Sequence, residues 1–86
     1  MNLIRNVQFS LLIRIHNRLR EVNFLQRSPE VYDTDISDER GNRFTFQMVK
    51  ENEQWKIKGD QLPPWIIGSE SQIHEVLDKI EISTKH

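Results

Sequence analysis

Between residues 30 and 58 apolar and polar side chains change places at every second position. This alternation limits what the chain can fold into more than any other feature. Tyr32, Thr34 and Ile36 share one face of the first run. Asp38-Glu39-Arg40-Gly41-Asn42 follows as a turn, with Gly41 and Asn42 suited to positive φ. Phe44, Phe46 and Met48 then alternate with Thr45, Gln47 and Val49. After the polar run Glu51-Asn52-Glu53-Gln54, Trp55 and Ile57 alternate with Lys56 and Lys58. Short period-two runs joined by polar turns predict a three-stranded antiparallel meander with one wet face.

The flanks read as helices. Gly59-Asp60-Gln61 ends the sheet, and Pro63-Pro64 stiffens the exit because proline fixes φ and donates no ladder bond. Ser69 and Gln72 have capping-box spacing, and Ile73, Val76, Leu77 and Ile80 follow at i, i+3, i+4 and i+7. Glu75 precedes Lys79 by one turn, the favourable order for a helix pair.

Two patterns fit the first segment. With Ser10 as N-cap, Leu11, Leu12, Ile15, Leu19, Val22 and Leu25 fall on one helical arc, with Arg18 inside it and Ile13 and Phe24 outside. As a strand, Val7, Phe9, Leu11, Ile13 and Ile15 alternate cleanly, leaving only Leu12 off pattern. Residues 1–28 hold no Gly or Pro to bring a strand back, so the reading favoured is a helix over 10–26. Whether residues 7–15 are helix or strand stays open. The expected fold is α+β, a single domain over 1–86: N-terminal helix, three-stranded antiparallel meander, and C-terminal helix packed on one face of the sheet.

With 86 residues and no cysteine, the fold has no disulfide framework, and thiolate metal sites and cysteine nucleophiles are excluded. No apolar stretch reaches the ~18–20 residues of a membrane span, and no secretory signal pattern is evident. The expected location is cytoplasmic.

A net charge of -1 conceals an uneven split at Ser28-Pro29. Residues 1–28 carry Arg5, Arg14, Arg18, Arg20 and Arg27 against Glu21, or +4, and residues 29–86 carry seven basic and twelve acidic residues, or -5. One reading pairs the basic segment with the acidic body along an exposed rim. The other makes Arg14, Arg18, Arg20 and Arg27 contacts for an anion or nucleic acid.

Catalytic and metal motifs are missing. His16, His74 and His86 have no metal-binding spacing, and Gly41, Gly59 and Gly68 form no phosphate loop. Asp33, Asp35, Asp38 and Glu39 fail the calcium-loop pattern, with Asp38 at the sixth position and Phe44 at the twelfth. Arg40-Gly41-Asn42-Arg43-Phe44-Thr45-Phe46 is similar to the aromatic strand of RRM-type RNA readers. Its spacing is stretched, however, and the expected chain order differs. The helix–meander–helix order also resembles that of double-stranded-RNA-binding domains. Ser69-Glu70-Ser71-Gln72 carries an acid where that family has lysines, so no residue roles carry over.

Neither catalytic nor metal-ligating residues are assigned, and no cofactor is expected. The chain reads as a small non-catalytic interaction or regulatory module, docking on a protein partner or forming a homodimer. Its interface residues would be Ile13, Phe24, Trp65 and Ile66. The alternative is nucleic-acid binding through the arginines of the first segment. Neither reading needs an integral membrane segment.

Overall fold

The computed structural model describes residues 7–84, with side chains described through Ile80. Arg5 and His86 fall outside the described residues. Five strands run in chain order: β1 (Gln8–Ile15), β2 (Arg18–Ser28), β3 (Val31–Ser37), β4 (Arg43–Glu51) and β5 (Gln54–Lys58). They form one antiparallel sheet in the order β1-β2-β3-β4-β5. A single-turn α1 (Pro64–Ile67) and a long α2 (Glu70–Thr84) complete the chain.

The expected N-terminal helix is therefore corrected. Residues 8–28 form two further strands, and the sheet has five strands instead of three. The reversal occurs at His16-Asn17, where φ is 54° and 64°. Positive φ at both central residues of a two-residue loop is the type I′ geometry, whose twist matches the flanking strands. Asparagine tolerates that region without glycine. Asn52-Glu53 makes the same reversal between β4 and β5, with φ of 52° and 65°. The helical arc was coincidental: Leu12 and Leu19 are 68% and 59% exposed, whereas Ile15 and Val22 are buried.

The β2–β3 connection passes through Pro29-Glu30, with a shift in register between Gln26 and Ser28. The β3–β4 turn is organised by Asp38. Its carboxylate accepts from the Arg40 and Asn42 backbone N–H groups at 2.9 and 2.8 Å and from the Asn42 side chain at 3.0 Å. Gly41 supplies the positive φ of 85° that this turn requires.

One face of the sheet carries the core. Ile13, Ile15, Val22, Phe24, Tyr32, Ile36, Phe46, Met48 and Trp55 are buried beneath Ile66 of α1 and Ile73 and Leu77 of α2. An aromatic run crosses it: Phe9 stacks on Phe24 (5.2 Å), both meet Tyr32 edge-on, and Tyr32 meets Trp55 (5.1 Å). Each such ring removes a large apolar area from water, and the pair geometry adds about 0.5–1.5 kcal/mol. Phe44 and Phe46 sit on this same face, half-buried and buried, so β4 offers no exposed aromatic platform for bases.

The C-terminal helix begins at Glu70, one residue after Ser69. The Ser69 carbonyl accepts from Ile73 N–H, while its hydroxyl donates back to the Ile66 carbonyl at 2.6 Å. Ser69 thus ties α1 to α2 in place of a capping box, and Gln72 accepts from the neighbouring Ser71 hydroxyl.

Candidate functional site

Both edges of the sheet are set by hydrogen-bond phase. Gln26 N–H donates to the Val7 carbonyl at 2.8 Å, and Phe9 and Leu11 pair with Phe24 and Val22. In an antiparallel ladder the odd-numbered residues of β1 then turn their backbone groups toward β2. Gln8, Ser10, Leu12 and Arg14 turn theirs outward. Among the described residues nothing covers that outward row. Its apolar member is the exposed Leu12, and Leu19 lies on the same face, paired with Arg14. Val7, just before the strand, is 46% exposed.

The opposite edge is closed. The N–H groups of Trp55 and Ile57 point away from β4 and donate to side chains of α2: Trp55 N–H to His74 Nδ1 at 3.1 Å, and Ile57 N–H to Glu70 Oε2 at 2.9 Å. Nδ1 is thus the accepting nitrogen of His74 in this contact. Lys56 Nζ lies 4.0 Å from the other Glu70 oxygen. Glu70 and His74 are four residues apart, so one helix face meets two successive outward donors of the strand.

The face of the sheet away from the helices holds a polar ladder. Ser10 donates to Asn23 (2.5 Å), Asn23 to Asp35 (2.8 Å), and Arg43 approaches Asp35 at 3.6 Å. One register step away, Arg27 and Gln47 donate to the two oxygens of Asp33 at 2.5 and 2.9 Å. The Gln47 amide and then the Arg27 guanidinium hold the Asp33 carboxyl below its usual range. A hollow of about 410 Å³ lies over this ladder, lined by Asn23, Asp33, Asp35, Thr45 and Gln47 among others. Each carboxylate there already meets donors within the chain. Among the described residues no group of three or more His, Asp and Glu side chains is placed to hold a metal ion.

The arginines singled out from the sequence do not gather into one patch. Arg14 is exposed on the polar face of β1. Arg27 pairs with Asp33, and Arg18 and Arg20 both approach Glu39 Oε1, at 3.6 and 2.6 Å. Three of the four thus meet acids that follow the charge split at Ser28-Pro29. Arg20 is the unusual member: it lies on the core face of β2 opposite Ile13, with a side chain only 10% exposed. Its guanidinium carbon stands 4.4 Å from the centre of the Trp65 ring, which meets Phe44 edge-on at 6.0 Å. The Glu39 carboxyl is held low, first by the Arg20 hydrogen bond.

The four apolar interface candidates are placed differently from the sequence expectation. Ile13, Phe24 and Ile66 are 4%, 1% and 0% exposed within the core. The folded chain does not present them to a partner. Trp65 is half-buried between Arg20 and Phe44. The exposed large apolar residues are instead Val7, Leu12, Leu19 and Ile67. Leu12 was visible in the sequence as the one residue breaking the alternation of β1. The Glu70/His74 pair was also visible, as an i, i+4 polar pair flanking the apolar stripe of α2.

No helix among the described residues is long and apolar enough to cross a membrane. Compared with protein-family models, with curated proteins and with solved structures, the chain matches none of them.

Proposed function

We propose that this chain is a small non-catalytic interaction module that self-associates by pairing β1 with β1 of a second copy across a two-fold axis. The observation that carries this reading is the outward row of β1, uncovered among the described residues and beside exposed Leu12 and Leu19, on a sheet whose other edge is covered by α2. An open, untwisted-by-bulge edge of eight residues is a template for another strand.

A second copy suits this edge better than an arbitrary strand. An antiparallel pair centred on Leu12 sets Leu12 against Leu12 of the other copy and Ser10 against Arg14, so no like charges face one another. The same register aligns Leu11 with Ile13 of the other copy on the core face. The two cores then continue into one another across a ten-stranded sheet. The arginines favour this reading over polyanion binding, because Arg18, Arg20 and Arg27 already meet carboxylates.

Sedimentation over a micromolar concentration series tests the proposal. The wild-type chain is expected to sediment as a dimer, and Leu12→Lys as a folded monomer with an unchanged circular dichroism spectrum. A wild-type chain that stays monomeric throughout, or a Leu12→Lys variant that dimerises equally well, overturns it.

A further inference from the structure

Arg20 is a charged residue in an apolar row. On the core face of β2 it stands between the exposed Arg18 and the buried Val22, with buried Phe24 beyond. A guanidinium that is nine-tenths covered must have its donors occupied, because a buried unpaired donor costs about 1–3 kcal/mol. Arg20 meets that requirement only in part. Its Nη2 donates to Glu39 Oε1 at 2.6 Å, while Nε is buried and meets no acceptor among the described residues.

Nε and Nη2 form one edge of the guanidinium, spaced to receive both oxygens of a single carboxylate side-on. Glu39 fills half of that edge. One of its oxygens meets Nη2 and approaches Arg18 Nη1, and the Nε position is left unmatched. Glu39 sits in the β3–β4 turn with its side chain 52% exposed, so it is the accessible partner and Arg20 the covered one. Trp65 backs the guanidinium from the other side and holds its plane. A hollow of about 260 Å³ opens at this point, lined by Arg18, Arg20, Glu21, Ser37, Asp38 and Glu39 among others.

We infer that Arg18 and Arg20 form a receptor for a carboxylate group from outside the chain, and that Glu39 occupies the seat until such a group replaces it. A carboxylate suits the hollow better than a phosphate dianion. With Glu39 still tethered nearby, a monocarboxylate brings the group of Arg18, Arg20 and Glu39 to neutrality, whereas a dianion would place a further negative charge beside Glu21 and Asp38. The ligand class is a free carboxylate, supplied by a small organic acid or by the C-terminus of a peptide. Because Glu39 is tethered beside its arginines, it competes at high effective concentration. The wild-type site is therefore weak toward free ligand and strengthened by loss of Glu39.

The test follows the Arg20 Nε–H resonance by ¹⁵N–¹H NMR during titration with acetate, with a short uncharged peptide bearing a free C-terminal carboxylate, and with its C-terminal amide. Inorganic phosphate and chloride at matched ionic strength complete the series. In Glu39→Ala, and in Glu39→Gln should the alanine variant fold poorly, the free-carboxylate peptide is expected to shift that resonance to saturation. Its affinity should exceed that of wild type by about tenfold or more. The amide and chloride are expected to leave the resonance in place, and Arg20→Lys, followed instead through its backbone amide resonances, to remain folded and lose the ligand-induced shifts. Saturation by acetate at a similar affinity identifies the source as a free acid; clearly tighter binding of the peptide identifies a chain terminus. An unshifted Nε–H resonance in both Glu39 variants, a chloride response equal to the carboxylate response, or phosphate binding as tightly as carboxylate overturns the inference.

Discussion

The two edges of this sheet face the same physical problem. A strand at an edge leaves every second residue with a free N–H and C=O, and water or another group must meet them. At β5 the answer lies within the chain. Glu70 and His74 reach across from α2 and accept from Ile57 and Trp55, and Ile73 and Leu77 hold the helix in place by burial in the core. At β1 the outward groups of Gln8, Ser10, Leu12 and Arg14 have no such cover among the described residues, and the exposed leucines lie beside them. The difference shows that an edge is closed by polar side chains at the right spacing as well as by a layer of apolar ones. It also shows which edge is left uncovered among the described residues.

Removing the anchor of the cover has the largest expected effect. Leu77→Ala deletes most of a fully buried side chain and should lower stability by about 2–5 kcal/mol, read from urea denaturation. It should also leave β5 open, so aggregation at high concentration should rise above that of wild type. A cost below about 1 kcal/mol would mean that α2 is not held by that contact.

Next comes the polar part of the cover. Glu70→Ala leaves the Ile57 N–H without its acceptor and should cost about 1–3 kcal/mol. His74→Ala should act in the same direction at Trp55. Hydrogen exchange locates the effect: the Ile57 amide should lose protection in the first variant and the Trp55 amide in the second. Equal loss along the whole of β5 would place the effect in the helix instead.

On the open edge the same kind of change should leave the folded monomer almost untouched. Leu12→Lys is expected to alter monomer stability by less than about 0.5 kcal/mol, because it removes no buried contact. Thermal denaturation at a concentration too low for pairing measures this. A large loss would show that Leu12 already packs within the monomer.

The smallest effect concerns the polar face between the edges. Asp33 has a lowered folded pKa, so its stabilising contribution is present above the unfolded value near 3.8 and is lost as pH falls through the folded value. Asp33→Asn removes that linkage, and its stability should fall less steeply below about pH 4 than that of wild type. Parallel acid limbs would show that Gln47 and Arg27 do not favour the ionised form.

How far the sequence revealed this fold depended on the form of the turns. The alternation of Tyr32, Phe44, Phe46, Met48 and Trp55 lies on β3, β4 and β5 as read, because each run is bounded by residues that advertise a turn. The first two strands escaped because their turn is His16-Asn17, which carries positive φ without glycine or proline. Once that reversal is missed, a strand pair joined by two residues scatters its leucines at spacings that imitate a helix. Arg20 was legible as a basic residue but not as a buried one. Its neighbours Trp65 and Glu39 come from distant segments, and only the assembled sheet brings them to it. The pairing of the arginine-rich first segment with acids beyond it follows from the charge split at Ser28-Pro29. The identity of each pair does not, since it depends on strand register.

The cover over β5 also has a consequence in time. During synthesis β5 leaves the ribosome before the helix that closes it. At about 5–20 residues per second, the segment through His74 and Leu77 follows on the order of a second later. For that interval the nascent sheet has two open edges instead of one. The charges at Lys56 and Lys58, on the polar face of β5, are then the main obstacle to its pairing with a neighbouring chain. The strand whose outward N–H groups are covered in the finished molecule is thus the one that is uncovered early, with two lysines on its polar face.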